Sequence, residues 1–199
     1  MADTALAGLP RIVRASAEIG WRGQAMMSLG LASACYWTVV WLVDGPVQPL
    51  EAGIVFAASL LMSLVLGGIT SRRRVTHALA NVKSPRAMVH ETPADARERH
   101  TRAASVLLLG AVVLLVLDTL ISQVGATAAL LAGAGVGIGI VDRAEARRWT
   151  QAEGSRSARL FLMIRPTALL VRFGATDVFE LPGTGTPKDD DGPPLFDLP

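Results

Sequence analysis

Residues 103–141 read AASVLLLGAVVLLVLDTLISQVGATAALLAGAGVGIGIV, and in that whole run between Arg102 and Asp142 the only ionisable side chain is Asp118. A helix that crosses a bilayer needs about 20 mostly apolar residues. The run is too long for one crossing and long enough for two short ones, with Ser122, Gln123 and Gly125 as the polar break. It therefore predicts two membrane helices, at about 103–121 and 126–141.

Working towards the N-terminus, the same rule finds two more uncharged stretches, between Arg22 and Asp44 and between Glu51 and Arg72. These predict spans at about 25–43 and 52–70. Composition agrees, since 51% of the residues are hydrophobic and only 18% are charged, against about 25% charge in soluble domains. The expected fold is an all-α integral membrane protein: a four-span transmembrane helix bundle with cytoplasmic helix extensions and a small C-terminal cytoplasmic element.

Orientation follows from the 19 Lys and Arg residues. Three precede the first span, eight lie between the second and third, and eight follow the fourth, while the 44–51 and 122–125 connections have none. Basic residues flanking short loops mark the cytoplasmic side. Both termini and a 71–102 loop are thus expected to be cytoplasmic, in a plasma (inner) membrane. Trp21 and Trp149 near the inner ends, with Trp37 and Trp41 near the outer end of the first span, fit interfacial aromatic belts.

Outside the spans, residues 1–24 form an N-terminal cytoplasmic segment whose residues 10–22 read as an amphipathic surface helix, with Ile12, Val13 and Ile19 against Arg11, Arg14, Glu18 and Arg22. Thr92, Pro93 and Asp95 form a helix start with an N1 proline and an acidic first turn. The fourth helix should run past Trp149 to a stop at Gly154. Within 142–181, the short apolar runs Leu160–Ile164, Leu169–Phe173 and Val178–Leu181 read as short strands, with a membrane-surface helix as the alternative. Residues 182–199, rich in Pro, Gly and Asp, cannot build a core and are expected to be disordered.

Small residues mark the helix-packing faces. Ala129, Gly133 and Gly137 recur every four residues, as do Ser59, Ser63 and Gly67 in the second span, and Ala25, Ser28, Ala32 and Cys35 make a similar stripe in the first. Such stripes let helices approach closely in lipid. The third span, dominated by Leu and Val, has few small residues and is expected to face lipid. Gly133, Gly135, Gly137 and Gly139 lack the GxGxxG spacing and the βαβ surroundings of a dinucleotide loop.

Function is read by class. Asp118 is the one ionisable group inside the predicted hydrocarbon, a transport or polar site by position, although it lies about one turn from the span's outer end. Arg72, Arg73 and Arg74 are placed to hold anionic lipid. His77, His90 and His100 lack metal-ligand spacing and read as exposed loop residues. A single cysteine, Cys35, excludes an internal disulfide, and the apolar run continuing past it argues against a cleaved, lipidated signal. Leu195, Phe196 and Leu198, behind Asp189–Asp191, form an apolar triplet suited to docking a partner. No catalytic signature, metal or cofactor site, nucleic-acid motif or small-molecule site is evident. The expected function is a non-catalytic multi-pass subunit that packs against or scaffolds a larger membrane complex, with lipids and other membrane subunits as partners. The alternative is a small oligomeric channel or transporter using Asp118.

Overall fold

A computed structural model describes residues 11–44, 49–83, 89–121, 126–164 and 177–182. Strand β1 (Arg11–Arg14) leads without a break into helix α1 (Ala15–Asp44), followed by α2 (Pro49–Ala80), strand β2 (Val89–His90), α3 (Pro93–Ile121), α4 (Ala126–Arg156), β3 (Ala158–Ile164) and β4 (Val178–Pro182). The chain is mostly helical. Three stretches, Leu50–Ala80, Ala94–Leu117 and Ala126–Arg156, are long and apolar enough to cross a membrane. The apolar part of α1, diluted by Ser28, Ser33, Tyr36 and Thr38, is not among them.

Helix α4 is the axis of the bundle, and its alternating glycines put two bare faces on opposite sides. Gly135 and Gly139 meet α1. A Cβ built on Gly135 would stand 2.7 Å from the Gly30 Cα, and one on Gly139 would stand 2.9 Å from the Gly23 carbonyl oxygen. Gly133 and Gly137 meet α2 instead, at Phe56, Ser59, Leu60 and Ser63, and Gly67 of α2 packs on Val141. Both contacts are at backbone range, the arrangement small residues permit where lipid offers no hydrophobic drive. Helix α3 stands apart. Only small residues such as Ala103 and Ala111 are buried on it, while Leu109 is 66% exposed and Leu120 74%.

The short strands expected after α4 are part of a larger element than the C-terminal segment alone, because Arg11–Arg14 and Val89–His90 join them in a four-stranded sheet of order β2-β1-β3-β4 at the helix feet. β1 pairs parallel with β2 and antiparallel with β3, and β3 pairs antiparallel with β4. Lys83 extends the β4 edge, its N–H donating to the Val178 carbonyl at 2.9 Å. One face of the sheet, through Leu160, Leu162 and Val178, packs on Ala15, Ile19, Val75 and Trp149. Ile12, Phe161, Phe179 and Leu181 cluster on the other.

Residues 11–22 are accordingly not a surface helix. Arg11–Arg14 is a strand, because Ile12 and Val13 point to opposite faces of the sheet and each enters an apolar cluster, a period of two rather than 3.6. The boundary at residue 24 falls inside α1. Within the 71–102 connection, α2 continues to Ala80 because Val75, 6% exposed, belongs to the core under Trp149, and residues 89–90 form β2. The choice for 159–181 resolves to strands where it is described. Leu169–Phe173 and residues 183–199 lie outside the described residues.

The helix ends follow from local chemistry. The Thr92 hydroxyl accepts the Asp95 N–H at 3.2 Å, capping α3 ahead of Pro93 at its first position. Helix α4 passes through Gly154 and stops at Ser157, whose φ of 50° is left-handed. Glu153 reaches over this turn to accept the Leu160 N–H at 3.2 Å, so its carboxylate couples the last helical turn to the first strand.

Candidate functional site

The feet of α1, α2 and α4 enclose a belt of charged side chains. Asp142 and Glu145 follow the apolar stretch of α4, at i and i+3 on one face, and Trp149 and Glu153 continue that face. All four are buried. Arg22 of α1 clasps Asp142 with two hydrogen bonds, Nε to Oδ2 at 2.7 Å and Nη2 to Oδ1 at 2.6 Å. Arg74 of α2 reaches Glu145 at 3.1 Å, and Arg148 donates to the buried Ser71 hydroxyl at 3.1 Å. Glu153 accepts from Arg14 of β1 at 3.1 Å and from the Ser16 hydroxyl at 3.4 Å. Burial pulls the Arg74 guanidinium below its usual range and the neighbouring Arg22 pulls the same way, against the opposing pull of Glu145 and Asp142.

A second knot ties α3 to α1. Arg99 grips Glu18 at 2.7 and 2.8 Å and Glu91 at 2.9 Å. His100 meets Glu18 at 2.9 Å, and its ring stacks on Trp21 with centroids 3.9 Å apart. Burial alone would raise the Glu18 carboxyl, but the hydrogen bonds and charges of Arg99 and His100 outweigh it and hold it at about 2, against an ordinary 4.5. The same two carboxylates raise Arg99 against the effect of its own burial.

Because Glu18 has a depressed pKa in the folded protein, its contribution is complete above about pH 4.5 and is lost as the pH falls towards 2. The stability gap between the wild type and Glu18→Gln should narrow by roughly 3 kcal/mol over that interval. Thermal unfolding in detergent across the acid range measures it, and a constant gap would show that Glu18 gains nothing from being charged.

The structure places the expected site residues as follows. Gly133 meets Ser59, Gly137 meets Ser63, and Ala129 is buried on the same helix, so these faces are used inside the bundle. The stripe assigned to α1 is displaced: Ser28, Ala32 and Cys35 are exposed, and Gly23, Gly30 and the Met26 carbonyl face α4 instead. Arg72 and Arg73 are exposed, whereas Arg74 turns inward to Glu145. Asp118 lies on α3, with its side chain outside the described residues, as are Leu195, Phe196 and Leu198.

None of the three histidines is a loop residue: His77 is exposed on α2, and its carbonyl accepts from the Asn81 side-chain amide at 2.9 Å. His100 belongs to the α1–α3 knot, and His90 of β2 packs edge-on against Phe161 at 4.9 Å, where burial lowers its pKa. Trp149, 1% exposed, is core rather than belt. Among the described residues, no group of three or more His, Cys, Asp or Glu is arranged to hold a metal ion.

Sequence reasoning missed Glu18, Arg22, Glu91, Arg99, Asp142, Glu145 and Glu153. One signal was available: on the α4 extension the acids share a face with Trp149, while Arg143 and Arg147 take another. No protein-family model, curated protein or solved structure matches this chain.

Proposed function

We propose that the chain is a non-catalytic, four-span subunit of a plasma-membrane complex, with both termini cytoplasmic and its sheet-capped helix feet facing the cytoplasm. The observation that carries this reading is that α3, on which only Ala103 and Ala111 are buried among its described side chains, takes no part in the close backbone contacts that join α1 and α2 to α4. Helices α1 and α2 each meet α4 at backbone range, so the two glycine faces of α4 are used inside the bundle. Helix α3 is tethered by the Glu18–Arg99–Glu91 knot at its foot and exposes apolar side chains such as Leu109, Val113 and Leu120 along its length. With the equally exposed outer face of α2, at Leu61, Met62 and Leu66, it offers apolar surface for lateral association.

A fourth span is supported by depth. Gly23 and Gly30 of α1 lie against Gly139 and Val136 of α4, so α1 shares the membrane level of α4. Its outer half displays Leu31, Val39, Leu42 and Val43. The one-sided distribution of cations supports the orientation.

Reporter fusions at residues 48, 85 and 199 of the full chain test the topology. Residue 48 should report outside, and residues 85 and 199 inside. A photo-crosslinking residue at Leu109 should capture another membrane protein at a defined mass. Solute flux through vesicles containing this chain alone, lost on Asp118→Asn, would replace the subunit reading with a transporter.

A further inference from the structure

Ion pairing at the cytoplasmic side is lopsided. Each carboxylate with a described side chain there has a cationic partner: Glu18 and Glu91 have Arg99, Asp95 has Arg11, Glu98 has Arg102, Asp142 has Arg22, Glu145 has Arg74, Glu153 has Arg14, Asp177 has Lys83, and Glu180 has Arg156. Arg72, Arg73, Arg97, Arg143 and Arg147 remain exposed without a carboxylate partner among the described residues.

Their depth is shared. Arg72 and Arg73 follow the apolar stretch of α2 by two and three residues, and Arg143 follows that of α4 by two. Arg147 lies one turn further on, and Arg97 about six residues before the apolar stretch of α3. At 1.5 Å per residue, all five fall within about 10 Å of the hydrocarbon edge, roughly the thickness of a headgroup layer. Of the acids at the same level, Asp142 and Glu145 are turned inward and neutralised and the exposed Glu98 is paired with Arg102, so the outward field at that depth is positive.

We propose that these five arginines bind the phosphates of anionic lipid headgroups, so that the protein selects anionic over zwitterionic lipid on its cytoplasmic leaflet. Spread over three helices at one depth, they suit a sheet of headgroups rather than one compact anion. A guanidinium also offers a phosphate two parallel hydrogen bonds. The proposal rests on the membrane reading above. It also changes the membership of the sequence-level site, dropping Arg74 and adding Arg97, Arg143 and Arg147.

The test is native mass spectrometry of the full chain, purified with equal amounts of phosphatidylglycerol and phosphatidylcholine. Phosphatidylglycerol should be retained in preference by about tenfold, and each arginine replaced by glutamine should lower the preference by about 1.6-fold, an equal share of that total. Replacing all five with glutamine should abolish it with thermal unfolding unchanged, while replacing all five with lysine should largely keep it. Arg74→Gln should do the opposite, lowering stability and leaving the preference intact. Equal retention of the two lipids by the wild type, or a preference that survives the five glutamines, overturns the proposal. Competition by inorganic phosphate would also overturn it, by identifying a free-anion site. A chain that alkaline carbonate strips from membranes would instead refute the membrane reading itself.

Discussion

Gly135→Ala is expected to unseat α1 from α4, although it adds a single methyl group. That methyl would stand 2.7 Å from the Gly30 Cα, 2.8 Å from the Gly30 nitrogen and 2.9 Å from the Met26 carbonyl oxygen. All three are backbone atoms, so no side chain can rotate aside and the helices must separate. Separation would loosen the neighbouring Gly139 contact as well, since α1 is one rigid helix. Overpacking a well-fitted interior typically costs about 1–3 kcal/mol, and a clash with backbone alone should reach the top of that range. For a chain of this length that is a fall of roughly 6–12 °C in the unfolding midpoint. Gly110→Ala and Gly53→Ala, where nothing lies within 4 Å of the added carbon, should change it little. Equal midpoints for Gly135→Ala and these controls would mean that α1 does not lie against α4 as described.

What the sequence discloses about this fold is what periodicity and charge can encode. The helical spans emerge from uncharged runs, and the Gly133–Ser59 and Gly137–Ser63 contacts lie on faces visible as four-residue repeats. The second face of α4, through Gly135 and Gly139, escaped because the same glycine run was read as one stripe. Assigning the α1 stripe to Ser28, Ala32 and Cys35 failed for a related reason. Several faces of α1 are small, and only the partner decides which one is buried. The sheet was harder still, since Ile12 and Val13 are two residues beside a 30-residue helix, and their strand partners at Leu162 and Met163 lie some 150 positions away. Ion pairs such as Arg22–Asp142 depend on the vertical register of α1 against α4. Local sequence reports that register only after the glycine contacts are known.

That ion pair supplies the other large effect. The side chains of Arg22 and Asp142 are 9% and 2% exposed and joined by two short hydrogen bonds, just past the apolar stretch of α4. Asp142→Ala strands a guanidinium close enough to Arg74 for the two to oppose each other electrostatically. Arg22→Ala strands a carboxylate instead, near Glu145 on the same helix face. Breaking a buried pair from one side costs about 3–5 kcal/mol, whereas replacing both partners with apolar residues of similar volume is often neutral or better. Each single variant should therefore lose roughly 10 °C or more in unfolding midpoint, and the double variant Arg22→Met with Asp142→Leu should recover most of it. Recovery would identify the belt as a device for fixing the depth of α1 against α4 rather than as a source of net stability. If the double variant instead falls by the sum of the two singles, the residues act independently, and the clasp cannot be what sets that register.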